Sequence, residues 1–429
     1  MPAQPSLPAT GKRRSYQTTL LVVAVAAAGF NLRAAITNLP PLFPDLEARL
    51  HLSSALLSLL AATPVICFGV FSAFAAWLNR RFGEEIVLLA ALGVLAAGLL
   101  LRGAAPGVML FPGTALAGGA IAILNVLLSS LVKRRSPERA GLLIGIYLTA
   151  LSVGAIIASL TSVPLYHASG GSVRLALGLW AAPAALAMLL WLPQLKYRVR
   201  QVKRPAAERP AAAPTTTKLT TTKLYKHALA WQVTAFMGLQ SLLYYAALSW
   251  LPTMFQDRGT SAVTAGNLLA LMGVGNMIGA PAAPVLAHRL VGQRSLVVPS
   301  MAAMAAGLAG SLWAPLGTAP FWVLVLGLGQ GACLGLAIFF TMARAPDPGT
   351  AASLGGFAQS VGYLVASAGP LELGLLHTAT GGWTIPIGVL LVLCGCALAA
   401  GILAARPLTL PGRQSATHAS VTGHAQRAV

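Results

Sequence analysis

The chain has 429 residues, of which 56% are hydrophobic and 9% are charged. Soluble globular proteins carry roughly 25% charged residues, so this composition excludes an ordinary water-soluble domain. A formal net charge of +20 could indicate a nucleic-acid partner. The Lys and Arg residues, however, lie in short clusters between apolar runs, which argues against one folded basic face that binds phosphates.

Motifs of catalysis and metal binding are missing from the sequence. There is no P-loop, no Ser-His-Asp arrangement and no HExxH motif, which argues against an ATPase or a hydrolase. The four cysteines lie in apolar stretches at spacings that indicate neither a disulfide framework nor a metal site. We therefore expect no enzyme activity, no catalytic residue, no metal and no cofactor. The four cysteines are Cys67, Cys333, Cys394 and Cys396.

Apolar stretches of about 20 residues, the length that crosses a bilayer, recur twelve times between turn residues and charges. The first follows Lys12, Arg13 and Arg14. It is long enough to span and has no clearly placed cleavage site, so we predict a membrane helix and not a signal peptide. The predicted spans are residues 18–40, 53–77, 86–102, 107–132, 140–163, 175–193, 230–252, 262–287, 295–314, 319–341, 353–377 and 381–405.

The spans form two groups of six around a polar segment. Residues 194–229 are rich in Pro, Ala, Thr and Lys and have no apolar period, which is typical of a linker. The predicted organisation is an N-tail at 1–17, a first half at 18–193, the linker, a second half at 230–405 and a C-tail at 406–429. The fold class is therefore an all-α polytopic membrane protein of two six-helix bundles.

The basic residues predict the orientation of the chain. Cytoplasmic loops retain Lys and Arg, and here nearly all of them fall in the tails, the linker and the loops on the same side. Four arginines, Arg49, Arg102, Arg174 and Arg258, fall in loops on the other side. We expect both termini in the cytoplasm, an inner-membrane location, contact with the lipid bilayer, and a monomer.

An internal repeat supports two related halves. At a shift of 208, residues 152–154 align with residues 360–362. Parallel six-helix repeats are typical of transporters that rock one half against the other around a midplane site. A shift of 212 aligns Leu39, Pro40, Phe43 and Asp45 with Leu251, Pro252, Phe255 and Asp257.

Several stretches carry a family resemblance over nearly the whole chain outside the linker and tails. They include NLRAAITNLPPLFPDLEARLHLS, ATPVICFGVFSAFA, LGLGQGACLGLA and FAQSVGYLVASAGPLELGLLHTATGGW. With these the chain resembles the major facilitator superfamily, and more narrowly its cyanate permease and 2-nitroimidazole transporter family. The resemblance implies alternating access, a binding site between the halves, and small polar or anionic substrates.

One loop departs from the superfamily pattern. The loop after the second span reads NRRFGEE, in which Arg80, Arg81 and Gly83 keep part of the charge and shape. Many members of the superfamily carry an acid before the aromatic residue, and this chain lacks it. The gating role that the resemblance would imply for that acid is therefore in doubt here.

Arg33 is the strongest candidate for a substrate-binding residue. A charge deep inside a membrane helix costs several kcal/mol unless it faces a watery cavity or a partner. Its forked guanidinium could bind an anionic or electron-rich planar substrate through paired hydrogen bonds; a structural ion pair or carbonyl contacts are the alternative. Asn31, Thr37 and Asn38 could line the same cavity, and the shift of 212 places Arg33 on Tyr245.

Other polar side chains in mid-span must face neighbouring helices or a cavity, because lipid would leave them unsatisfied. Hydrogen bonding between helices is the alternative to substrate binding for each of them. As a group they favour a binding site, since the resemblance places their helices around the central cavity. These candidates are Asn125, Tyr147, Thr149, Gln240, Tyr244, Tyr245, Gln330, Gln359 and Tyr363.

Glu372 is the one carboxylate that we place inside a span, toward the outer end of the eleventh. Burial could raise its pKa toward neutrality and let it carry a coupling proton. It could equally reach water outside the membrane or pair structurally.

The sequence therefore predicts a secondary transporter of a small solute that is anchored by Arg33. Import of a cyanate-like anion is favoured over movement of a nitroimidazole-like or other small drug molecule. A membrane sensor that binds without carrying is a remote alternative, because no output domain follows the last span.

Overall fold

A computed structural model describes residues 10–135, 140–202, 224–290 and 292–411. Every regular element in these ranges is helical, which confirms the all-α class. The first half contains α1 to α8, and the second half contains α9 to α15. The bounds of the first group are α1 Thr10–Thr37, α2 Phe43–Leu50, α3 Ser54–Phe82, α4 Glu84–Ala104, α5 Pro106–Arg135, α6 Ala140–Ala168, α7 Val173–Gly178 and α8 Ala181–Val202. The bounds of the second group are α9 Ala228–Asp257, α10 Ala262–Arg289, α11 Arg294–Trp313, α12 Ala319–Ala343, α13 Pro348–Ala366, α14 Ala368–Thr380 and α15 Thr384–Ala404.

The helices match the twelve predicted spans. By length and composition alone, ten helical segments of the described chain could cross a membrane. The remaining two spans are α9, in which Gln, Trp and Tyr lower the hydropathy, and the pair α13 and α14. That pair is one predicted span broken at Ser367, just before Gly369 and Pro370, where proline removes a backbone donor.

Two boundaries differ most from the sequence-based expectation. Helix α1 begins at Thr10 within the predicted N-tail, and α8 continues to Val202 within the predicted linker. Both extensions are rich in Lys and Arg, which are good helix formers, so the helix continues past the apolar stretch. Most of the predicted linker, residues 203–223, lies outside the described residues.

Glycines let the helices of each half approach closely. A Cβ on Gly154 of α6 would lie 2.8 Å from the carbonyl carbon of Phe30 in α1, so only glycine fits this crossing without displacement. In the second half a Cβ on Gly275 of α10 would lie 2.6 Å from the carbonyl oxygen of Leu324 in α12, so these two helices also cross closely. Small residues at such crossings are typical of membrane helix packing.

The two halves meet on the side of the bundle opposite the chain termini, which we call the distal side. The turn Pro40–Leu42 after α1 packs against α9 and α10 of the other half. Phe43 contacts Trp250 edge to face, with ring centroids 5.6 Å apart. Gly374 of α14 packs against Ser58 of α3. The distal side is therefore closed between the halves.

Polar contacts on the side of the termini tie helices together within each half. In the first half Arg134 forms ion pairs with Glu84 at 2.7 Å and Glu85 at 3.1 Å. Gly83, with a φ of 84°, provides the turn that places these acids. In the second half Arg344 donates to Gln293 at 2.6 Å and to the carbonyl of Ala404 at 2.9 Å.

Candidate functional site

Arg33 lies in α1 at the contact between the two halves. Its Nη1 donates a hydrogen bond to the hydroxyl of Tyr244 in α9. Its guanidinium carbon lies 4.6 Å from the centroid of the same ring, in a cation–π arrangement. The side chain is only partly buried. Within the described ranges we find no carboxylate paired with it, so its charge is met by phenols and π faces.

Aromatic rings from three helices surround this charge. Tyr244 and Tyr245 of α9 are 5.1 Å apart, and Tyr363 of α13 lies 6.3 Å from Tyr245. Phe68 of α3 completes the group, at 6.3 Å from Tyr245 and 5.7 Å from Tyr363. We call Phe68, Tyr244, Tyr245 and Tyr363 the aromatic cluster. Sequence reasoning missed Phe68, because one phenylalanine in an apolar helix gives no signal of its own.

A second pair of predicted residues adjoins the charge. The hydroxyl of Tyr147 in α6 donates to the Oδ1 of Asn125 in α5. Tyr147, Tyr245 and Tyr363 all lie close enough to Arg33 to interact with it electrostatically. The structure therefore brings together Arg33, the aromatic cluster, Tyr147 and Asn125.

Asn31 and Gln240 face elsewhere. The amide of Asn31 donates to the carbonyls of Ala27 and Pro183 at 2.8 and 3.0 Å. It lies on the wall of a cavity of about 1020 Å³ between α1, α6 and α8, which Thr149 also lines and Arg33 does not. Gln240 is buried and donates to Ser241 and to the carbonyl of Met237 on its own helix.

Three further candidates are separate from the cluster. Gln330 of α12 is fully buried, and neither amide atom has a hydrogen-bond partner in the described part of the chain. Gln359 is exposed on α13, one turn before Tyr363. Glu372 is exposed on α14, toward the distal side, and its proton-carrying role stays a prediction.

Arg102 lies at a position that the sequence analysis predicted wrongly. We expected it in a loop on the outer side, but it lies within α4 and is completely buried. It donates to the carbonyl of Ala35 at 3.0 Å and to the Oδ1 of Asn38 at 3.2 Å. In a continuing helix the carbonyl of Ala35 would accept from the backbone N–H of Leu39, but that N–H donates to the carbonyl of Ile36 instead. Arg102 therefore caps the carbonyl of Ala35 near the end of α1, two residues after Arg33.

The arrangement combines a fixed positive charge with flat aromatic faces and hydroxyls. Arginine presents paired donors to planar anions, and aromatic rings stack on flat molecules. No group of His, Cys, Asp and Glu that could hold a metal occurs among the described residues. These groups are chemically suited to binding and orienting a small solute.

Known proteins are similar to this chain in sequence and in fold. The Major Facilitator Superfamily profile matches residues 20–370. The chain is 36% identical to the uncharacterized transporter YycB of Bacillus subtilis, with 88% of this chain and 91% of that protein covered. It is 34% identical to the 2-nitroimidazole transporter of Escherichia coli, with 88% and 92% covered, and 28% identical to the cyanate transport protein CynX of the same organism, with 85% and 91% covered. A bacterial homolog of the human lysosomal transporter Spinster superposes with a TM-score of 0.72 at 17% identity, covering 93% of this chain and 98% of that one.

The helical fold, the family match and the relatives together define a membrane transporter of small solutes. The chain belongs to the Major Facilitator Superfamily, and its relatives include the 2-nitroimidazole and cyanate transporters. Both the superfamily and the narrower resemblance that the sequence indicated are confirmed.

Proposed function

We propose that this protein is a secondary transporter that carries a small, flat, anionic or electron-rich solute across the cytoplasmic membrane by alternating access. Arg33 is the substrate anchor, and the termini face the cytoplasm. The observation that best supports this proposal is the environment of Arg33. The side chain is partly accessible, aromatic rings and hydroxyls surround it, and no carboxylate among the described residues pairs with it.

The aromatic cluster supports a ring-shaped substrate. A linear triatomic anion such as cyanate can accept hydrogen bonds from Arg33 but offers no ring face to the surrounding aromatics. A planar ring that carries a nitro or carboxylate group can use both features, since stacked aromatic pairs contribute about 0.5–1.5 kcal/mol beyond their burial. The sequence alone favoured a cyanate-like anion, and the cluster moves the preference toward a flat ring. This agrees with the substrate for which the 2-nitroimidazole transporter of Escherichia coli is named.

The closed distal side supports alternating access. Residues of both halves supply the closing contacts, namely the turn Pro40–Leu42 against α9 and α10 and Phe43 against Trp250. Arg33 and Tyr244 likewise come from different halves. Rocking the halves apart on the distal side would break these contacts together, so the binding residues separate as that side opens.

A thermal-shift experiment on the purified protein tests the substrate class. The probes are 2-nitroimidazole, benzoate and cyanate, each added to the native protein and to an Arg33→Gln variant. A bound ligand at about 100 times its Kd stabilises the native state by about 2.7 kcal/mol. We expect a rise in Tm with the ring probes, and none of it in the variant.

The exposed Arg174 of α7 supplies the matched control, since Arg174→Gln also removes one positive charge. This control should respond to the probes as the native protein does. Stabilisation by cyanate alone would favour the linear anion. Equal stabilisation of native protein and Arg33→Gln would contradict the anchor role.

A further inference from the structure

The internal repeat extends to the distal ends of both halves. Asp45 and Asp257 are related by a shift of 212. Asp45 lies in α2, just after the first helix of its half, and Asp257 is the last residue of α9. Each half also carries a histidine near the end of the helix that forms its fifth span. A glycine with positive φ follows each histidine four residues later. These elements are His167 followed by Gly170 and Gly171, and His377 followed by Gly381 and Gly382.

In the second half the aspartate and the histidine meet. The Oδ2 of Asp257 lies 3.6 Å from the Nε2 of His377. The indole nitrogen of Trp383, at the start of α15, donates to the same oxygen at 2.8 Å. The imidazole stacks on Trp383, with ring centroids 4.0 Å apart and an interplanar angle of 23°. We call Asp257, His377 and Trp383 the distal triad.

The distal triad supports the contact that closes the distal side. Trp383 packs on Trp250, with ring centroids 5.9 Å apart. Trp250 in turn contacts Phe43 of the other half and donates from its indole nitrogen to the carbonyl of Pro370 at 2.8 Å. The position of Trp383 therefore affects the side chain on which the first half closes.

The related pair in the first half has a different electrostatic environment. Asp45 interacts with His167 and also with Arg49, whose guanidinium carbon lies 5.5 Å from the ring of Tyr166. Arginine stays charged at any physiological pH, so Asp45 keeps a cation near it whatever the state of His167. The shift of 212 places Ser261 at the position of Arg49, and so the second half lacks this permanent cation.

Few other charges surround His377. Helices α3, α9, α13 and α15 pack against α14. Asp257 is the one charged residue of α9, and α13 and α15 have none. The charges of α3, Arg80 and Arg81, are at its opposite end. Glu372 is exposed five residues earlier on the same helix as His377. Arg258 donates to the carbonyls of Ser311 and Ala314.

We propose that the distal triad is a proton-binding site that stabilises the closed distal side. A proton from the distal medium binds the unprotonated ring nitrogen of His377, and the charge of the imidazole rises from zero to +1. The cation then pairs with Asp257 and stacks more strongly on Trp383, because a tryptophan face attracts cations. Proton release weakens both interactions, so the distal side opens more readily.

The expected effect is modest, because His377 and Asp257 keep 26% and 46% of their side-chain surface exposed. Ion pairs of this kind change an equilibrium by about two- to fivefold, and salt screens them. The shift should therefore be largest at low ionic strength. It needs no substrate, so it can fail or hold independently of the substrate class proposed above.

Spin labels at the distal ends of α5 and α12 can measure this equilibrium. Val108 and Thr318 are exposed and related by a shift of 210, and neither belongs to the distal triad. Cysteines at both positions, with the exposed Cys396 changed to Ser, carry the labels. Pulsed electron paramagnetic resonance then gives the ratio of closed to open distal distances at about pH 5.5 and about pH 8, across the range in which histidine usually titrates.

We expect the closed-to-open ratio to be about two- to fivefold higher at the lower pH. His377→Gln should remove this difference, while the repeat-related His167→Gln should keep it. Asp257→Asn is a second variant that should also lose the difference, and unchanged Tm values show that each variant is folded. A native protein that does not respond to pH, or a His377→Gln variant that responds like the native protein, would overturn the proposal.

Discussion

Gly154 tests how firmly the first half fixes the helix that carries Arg33. In Gly154→Ala the new Cβ would lie 2.8 Å from the carbonyl carbon of Phe30, three residues before Arg33. Carbon atoms in contact are usually about 3.5–4.0 Å apart, so α1 and α6 must separate by at least about 0.7 Å. Overpacking of this kind costs about 1–3 kcal/mol.

A control on the same helix isolates that cost. A Cβ on Gly145 would meet no atom within 4 Å. Both substitutions gain the helix preference of Ala over Gly, about 1 kcal/mol, which cancels in the comparison. Gly154→Ala should therefore be about 1–3 kcal/mol less stable than Gly145→Ala.

Unfolding in detergent, followed by tryptophan fluorescence, measures the two free energies, with Tm as a second readout. Gly154→Ala should also bind the ring probes more weakly, because the displacement is passed along α1 to Arg33. If the two variants have the same stability and affinity, the close crossing does not position Arg33 and our reasoning is refuted.

Three further substitutions separate binding from stability. Arg102→Met should lower the free energy of unfolding by about 1–3 kcal/mol for each acceptor that it leaves unpaired. The control Arg174→Met should change this free energy by less than about 0.5 kcal/mol. Equal losses in the two variants would contradict the capping role of Arg102. Gln330→Leu should raise Tm, because it removes a buried amide without a described partner. A lower Tm would show that this amide is satisfied in the native protein. Tyr244→Phe should keep the ring but weaken binding of the ring probes, as Arg33 loses the hydroxyl that it contacts; affinity equal to that of the native protein would show that the hydroxyl is dispensable.

Most of the fold could be predicted from the sequence because the bilayer imposes a strong length and composition rule. The boundaries of α11 and α15, for example, fall within three residues of the predicted spans. The break after Ala366 was not predicted, since proline within a membrane helix is often tolerated by neighbouring groups. The basic ends of α1 and α8 were placed in tail and linker because hydropathy does not report helix that extends beyond the apolar layer.

The candidate site was less accessible to sequence reasoning. Charge in mid-span drew attention to Arg33, and the repeat drew attention to Tyr245, which lies in the same cluster. Phe68 gave no signal, because an aromatic side chain in an apolar helix does not show which way it faces. Gln240 shows the converse difficulty, since its amide bonds to its own helix, away from the cluster. Arg102 was misplaced because a basic residue at the end of an apolar run resembles a loop charge.

The anchoring of substrate by Arg33 is tested most directly by uptake into vesicles that contain the purified protein. The measurement compares the native protein, Arg33→Gln and Arg174→Gln, using the ring probe that gives the largest thermal shift. We predict that Arg33→Gln loses uptake while its Tm without probe stays near the native value, and that Arg174→Gln transports normally. Native uptake by a folded Arg33→Gln variant would contradict the account.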